Sequence, residues 1–165
     1  MTVMTRQAVI EVALSLLDTP YVWGGEDPVC GFDCSGFINY VFYVVYGGAV
    51  FPVSTNNKGQ IIRLTASQQY SRCYDRDWLL PFEEALDGDI VWRNDKGHVG
   101  ISYLLFKVIH ASGRLCSDGE LPTVPSECRQ DIFDKQRLCG KYKKVVITPL
   151  NGFGQVLPKI CRPQP

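Results

Sequence analysis

Gly31-Phe-Asp-Cys-Ser-Gly36, run directly into the apolar stretch Phe37–Tyr46, sets one cysteine where a loop turns into a helix. The preceding segment, Thr19-Pro-Tyr-Val-Trp-Gly-Gly25, is too rich in turn residues to be helical throughout. If Cys34 occupies the first helical turn, its sulfur faces unpaired backbone N–H groups and the positive end of the helix dipole. Such a position favours thiolate and can lower a cysteine pKa by ~1–5 units. The chain has two histidines, His98 and His110, and both fall downstream in strand-like segments. One cysteine with two candidate imidazole partners is the skeleton of a cysteine hydrolase.

Upstream, Val9, Val12, Ala13, Leu16 and Leu17 recur at helical spacing, so a first helix is expected over Thr5–Leu17, stopped by Asp18-Thr19-Pro20. Downstream of the cysteine helix, Gly47-Gly48 and Pro52 break the chain. Residues 53–82 read as mixed and polar, with a short helix at Asn57–Leu64 and loop beyond it. Strands are expected at Ile90–Trp92, at His98–Leu104 after the turn signal Asn94–Gly97, at Phe106–His110 and at Lys144–Thr148. Residues 111–140 read as a long insertion and 151–165 as an irregular tail outside a single domain spanning 1–150. Helices first and a strand meander second argue for an α+β fold, with the N-terminal helices packed on a central antiparallel sheet.

The chain's 165 residues, 45% of them hydrophobic, suit one domain with an ordinary core. Seventeen basic and seventeen acidic residues cancel, and the short run Lys141-Tyr-Lys-Lys144 is no footprint for nucleic acid. No segment reaches the ~20 continuous apolar residues of a membrane span. The N-terminal stretch lacks the basic, apolar, small-residue order of a secretory signal. The expectation is therefore cytoplasmic synthesis, with delivery to a cell wall by lysis or secretion as a further setting. Seven cysteines in no zinc-like spacing and without a C-x-x-C pair leave six structural candidates beside Cys34, with disulfides expected in an oxidising location.

Five motifs, in order, resemble the NlpC/P60 cell-wall peptidases: Pro20-Tyr-Val-Trp-Gly-Gly25, Gly31-Phe-Asp-Cys-Ser-Gly36, Asp87-Gly-Asp-Ile-Val-Trp92, His98-Val-Gly-Ile101 and Ile109-His-Ala111. The resemblance covers about residues 5–148 and implies a papain-like fold and cleavage of peptidoglycan stem peptides, typically between γ-D-glutamate and a diamino acid, diaminopimelate or lysine. By the same resemblance Cys34 is the nucleophile, His98 its base and His110 the residue that orients His98. Tyr21, Asp33 and Ser35 would bind substrate, the last two beside the free α-amino group of the stem peptide, although both are equally good helix caps. Trp23, Gly24, Gly25 and Asp89 read as architectural. The pair needs no metal or cofactor for this chemistry, and its partner would be peptidoglycan or a muropeptide. Amidase or acyltransferase chemistry on the same scaffold, and a non-catalytic, disulfide-stapled binding protein, are the competing readings. The tip Leu104-Leu-Phe-Lys107 departs from the family in lacking Gly or Asn.

Overall fold

The computed structural model describes residues 3–55, 57, 61–120 and 138–164. Helix α1 (Val3–Ser15) presses Val9, Ile10 and Ala13 into the core. Helix α2 (Cys34–Tyr46) begins at the cysteine itself: Asp33 caps it, its carboxylate accepting the Gly36 N–H at 2.6 Å. Phe37, Ile38, Val41 and Phe42 are completely buried. The helix stops at Gly47, whose φ of 62° suits a residue without a side chain.

A third helix, α3 (Ala66–Asp75), replaces the helix expected at Asn57–Leu64. Residues 58–60 of that stretch lie outside the described residues, and Ile61–Ile62 of it form β4, which pairs with β3 (Ser54–Thr55), as β1 (Glu26–Asp27) pairs with β2 (Gly31–Phe32). The start of α3 is set by Thr65 and Gln68, whose side chains exchange bonds with each other's backbone N–H in a capping box. This Thr-x-x-Gln signal is present in the sequence, but the polar composition of the helix, Ala66-Ser-Gln-Gln-Tyr-Ser-Arg-Cys-Tyr-Asp75, hides it. No helix among the described residues is long and apolar enough to cross a membrane.

The helices pack on a six-stranded antiparallel sheet, which is the α+β arrangement expected. Its strands are β5 (Leu79–Pro81), β6 (Ile90–Arg93), β7 (Val99–Tyr103), β8 (Lys107–Glu120), β9 (Leu138–Pro149) and β10 (Val156–Cys161). They lie in the order β5-β10-β6-β7-β8-β9. The stretch expected as an insertion, 111–140, is strand at both ends, where β8 runs on to Glu120 and β9 starts at Leu138; residues 121–137 lie outside the described residues. The tail is not irregular: it forms a short helix, α4 (Leu150–Phe153), and then β10, an inner strand bonded to both β5 and β6. Pro158 marks the strand down in sequence, yet it falls where the β10–β6 register shifts between Val156 and Ile160, the place a sheet tolerates proline.

Two further features belong to the frame. Cys73 on α3 and Cys161 on β10 form a disulfide across 88 residues, and Cys30 is also disulfide-bonded. Cys34 is the free cysteine among the described residues. The β7–β8 turn carries Leu104 and Leu105 at φ 46° and 59°, a left-handed conformation costing roughly 1–2 kcal/mol per non-glycine residue. Both leucines and Phe106 stand largely in solvent.

Candidate active site

Capping positions the thiol. Asp33 Oδ1 accepts from Gly36 N–H and from the Ser35 hydroxyl at 2.9 Å, while Oδ2 accepts from Gly24 N–H at 3.0 Å. The turn before the helix is thereby pinned to its first residue. Gly25 and Gly36 touch at the backbone, where a Cβ on Gly36 would fall 1.9 Å from the Gly25 carbonyl oxygen. The Cys34 Sγ–H points across to the sheet and donates weakly to the Gly97 carbonyl at 3.9 Å. His98 is the next residue along. Cys34, His98 and His110 line one cavity of about 620 Å³, together with Tyr21, Trp23, Arg93 and residues of α4.

On the sheet side, His98 Nε2 lies 2.8 Å from His110 Nδ1. The β7–β8 register sets Ile101 opposite Ile109, which brings Gly100 opposite His110 and leaves His98 as a diagonal neighbour. Gly100 has to be glycine for this: a Cβ there would lie 2.4 Å from Val108 and 3.1 Å from the His110 Cβ. His110 Nε2 in turn meets Thr148 Oγ1 at 2.8 Å. Phe153 of α4 packs on both rings, with centroids 5.1 Å from His98 and 5.0 Å from His110. The segment expected to be an irregular tail therefore supplies a wall of the site.

Burial and a neighbouring carboxylate oppose the thiolate expected from the helix position. Burial pushes the Cys34 thiol up to about 12 and the adjacent Asp33 carboxylate adds to the rise, overcoming the backbone N–H groups of Val99, Ser35 and Cys34. The same carboxylate that caps the helix offsets the dipole that would have favoured thiolate. Burial, with Arg93 assisting, holds His98 down at about 4; burial and then His98 hold His110 down at about 3. These surroundings favour a neutral thiol beside neutral imidazoles.

A stability signature follows. Below pH 6.5 the unfolded histidines take up protons that the folded ones refuse until about 4 and about 3. The unfolded chain binds more protons in that window, so folding weakens on acidification, by at most about 1.4 kcal/mol per pH unit per histidine. Above pH 6.5 neither histidine contributes. Urea midpoints measured from pH 7 to 4 should fall, and fall less steeply in His110→Asn; equal slopes for the two proteins would refute the assignment.

Asp33 and Ser35, with Tyr21, Trp23, Cys34, Thr65, Lys96 and others, line a second cavity of about 210 Å³ that also borders the thiol. Tyr21, Trp23, Cys34 and Gly97 border both cavities, so they form the divide of one cleft. Burial, then Cys34 and Asp33, raises the Tyr21 phenol, and its ring rests directly on Gly113 of β8. Asp89 is architectural as expected, completely buried and paired with Arg162. Trp23 is not a packed ring: 56% exposed, it stands at the cleft mouth. Thr148 and Phe153 were not singled out in the sequence. Thr148 sits in a β-branched run that reads as ordinary strand, and Phe153 in a Gly-rich stretch that reads as loop.

Comparison with known proteins joins this cleft to a family. The NlpC/P60 family model matches residues 18–124. The chain belongs to the NlpC/P60 family. Among curated relatives, it is 55% identical over 40 residues to Protein P54 of Enterococcus faecium, covering 24% of this chain and 8% of that one. It is 29% identical over 87 residues to a protein of Mycobacterium tuberculosis named a probable endopeptidase, covering 46% and 22%. It is 46% identical over 39 residues to the gamma-DL-glutamyl hydrolase of Bacillus subtilis, covering 24% and 9%. The matched stretches thus span less than a quarter of each relative. In fold, the chain superimposes on the peptidoglycan hydrolase RipB of Mycobacterium tuberculosis with a TM-score of 0.58 at 21% identity, covering 96% of this chain and 64% of that one. With the NlpC/p60 domain of the peptidoglycan hydrolase SagA the values are 0.57 and 23%, covering 95% and 97%. The NlpC/P60 fold expected from the motifs is the fold observed.

Proposed function

We propose that this NlpC/P60 chain is a cysteine endopeptidase of peptidoglycan stem peptides, cutting between γ-D-glutamate and the diamino acid, diaminopimelate or lysine. The observation that carries the reading is the His98–His110 bond of 2.8 Å on the wall of the cavity that Cys34 lines. His98 Nε2 is taken by His110, which leaves Nδ1 as the nitrogen to receive the thiol proton. The names of two relatives, a probable endopeptidase and a gamma-DL-glutamyl hydrolase, support a peptidase that acts at a glutamyl bond.

In this reading the γ-glutamyl carbonyl sits over Cys34 at the divide of the cleft. As Sγ attacks, the thiol proton passes to His98 Nδ1, and the Cys34 backbone N–H helps hold the oxyanion. His98 then protonates the departing amine, leaving a thioester, and afterwards takes a proton from the water that hydrolyses it. Asp33, Ser35 and Tyr21 border the smaller cavity and would face the amino-terminal end of the stem peptide. The Cys73–Cys161 disulfide favours work in an oxidising space, consistent with delivery to the wall after synthesis.

Defined muropeptides incubated with wild type and with Cys34→Ala, followed by mass spectrometry, test this. Wild type alone should release the diamino acid fragment with uptake of one water. The same products from both proteins would remove Cys34 from the reaction, and cleavage of a different amide would transfer the chain to the amidase reading.

A further inference from the structure

We propose that Thr148 is a positioning residue of this site: its hydroxyl, able to accept as well as donate, gives a His110 Nε2–H the acceptor that lets His98 carry its own proton on Nε2. The inference rests on the proposed Cys34–His98–His110 reading. Thr148 Oγ1 lies 2.8 Å from His110 Nε2, and His110 Nδ1 lies 2.8 Å from His98 Nε2. These three side chains form one line of hydrogen bonds in which every proton direction depends on the next. His98 can serve as a base toward the thiol only if Nδ1 is bare, so its proton must sit on Nε2. That proton then points at His110 Nδ1, which must accept. The single proton of neutral His110 is thus on Nε2, and it needs an acceptor. Thr148 Oγ1 is that acceptor.

With no acceptor at that end the line reverses. A buried N–H without a partner is costly, so His110 would move its proton to Nδ1 and donate to His98 Nε2. His98 would then carry its proton on Nδ1, facing the thiol, with no lone pair there to use. The enclosure makes the choice sharp. His110 is 4% exposed, Thr148 is 8% exposed and Phe153 covers both imidazoles, so solvent is poorly placed to substitute for the hydroxyl. The geometry arises from register: Val146 lies opposite His110 on β9, and Thr148 is the diagonal neighbour on the same face, two residues on. His98, the residue just before β7, takes the opposite diagonal on the other side of β8. His110 is therefore flanked on both sides, by a base and by the group that orients it.

Thr148→Val keeps the shape and removes the acceptor; Thr148→Ser keeps the acceptor and trims the shape. Both are made in active protein and in a Cys34→Ala background, where imidazole tautomers are read by long-range 15N–1H correlation at pH 7. Protons on Nε2 of both rings are expected in the parent and in Thr148→Ser. In Thr148→Val both rings should show the proton on Nδ1. Muropeptide kcat should drop about 10- to 100-fold in Thr148→Val with KM little changed, the size of effect that hydrogen-bond partners of metal-bound histidines show, and recover in Thr148→Ser. Unchanged tautomers in Thr148→Val overturn the proposal, as does equal loss in the serine variant. If wild type hydrolyses no muropeptide while Thr148→Val still switches tautomers, the substrate reading falls and the positioning role stands.

Discussion

His98→Ala is expected to slow muropeptide hydrolysis by about 10⁴-fold, near the upper end of what a general base supplies, without changing the fold. The size follows from the neutral resting state. Burial keeps the Cys34 thiol at about 12, so at neutral pH almost no thiolate exists until a base removes the proton during attack. With the imidazole gone, neither removal of that proton nor its return to the leaving amine has a carrier. Iodoacetamide measures the same state without substrate. The alkylation rate of Cys34 should climb about tenfold per pH unit from pH 6 to 9, tracking the small thiolate fraction, and His98→Ala should leave that slope intact. A wild-type rate that is already flat below pH 7, and becomes pH-dependent in His98→Ala, would mean a preformed thiolate–imidazolium pair. That result would restore the charge state expected from the helix position and discard the one argued from burial.

That contrast separates what could be read from the chain and what could not. Local signals carried the cleft: Asp33 before an apolar helical run, glycines where backbones touch, and a histidine with Gly100 two residues on are each legible from a few neighbouring residues. The imidazole pairing followed from two adjacent strands. What escaped depends on distant parts of the chain. The electrostatic balance at Cys34 is decided by how much of the sheet and of the loop at Tyr21 covers it, and a helix start alone carries no information about that. Thr148 acquires its role only when β9 is laid in register beside β8. The strand β10 was masked by Pro158 and nearby glycines, since a single sequence does not reveal that a register shift will accommodate the proline. Tertiary placement overrode a sound local rule in each case.

Arg162→Met is expected to cost about 3–5 kcal/mol of stability, because it breaks an ion pair to a completely buried carboxylate. Asp89 is completely buried at the start of β6, and its carboxylate depends on the far end of the chain. Arg162 Nε donates to Asp89 Oδ1 at 3.0 Å and Nη2 donates to Oδ2 at 2.7 Å, while Nη2 also donates to the Glu84 carbonyl at 2.7 Å. Removing the guanidinium leaves a buried carboxylate with the Leu86 N–H, at 2.8 Å, as its one remaining partner of these. Arg162→Lys should recover only part of the loss, because one ammonium cannot reproduce a two-pronged contact and reach Glu84 as well. The double variant Asp89→Leu/Arg162→Met should be markedly more stable than Arg162→Met alone, since it removes the unpaired charge that causes the damage. Urea unfolding at pH 7 with the Cys73–Cys161 disulfide intact measures all three. That bond joins α3 to the residue just before Arg162, so reducing it first would mix in a loop-closure term of about 4.6 kcal/mol. A double variant no better than the single one would show that the fork holds β10 by packing and not by charge. The site is joined to this lock through the chain itself, because the segment anchored at Arg162 also carries Phe153 against His98 and His110. Arg162→Met should therefore slow hydrolysis at temperatures where the protein is still folded, while Arg93→Ala, at the opposite end of the β10–β6 pairing, should leave the unfolding midpoint nearly unchanged.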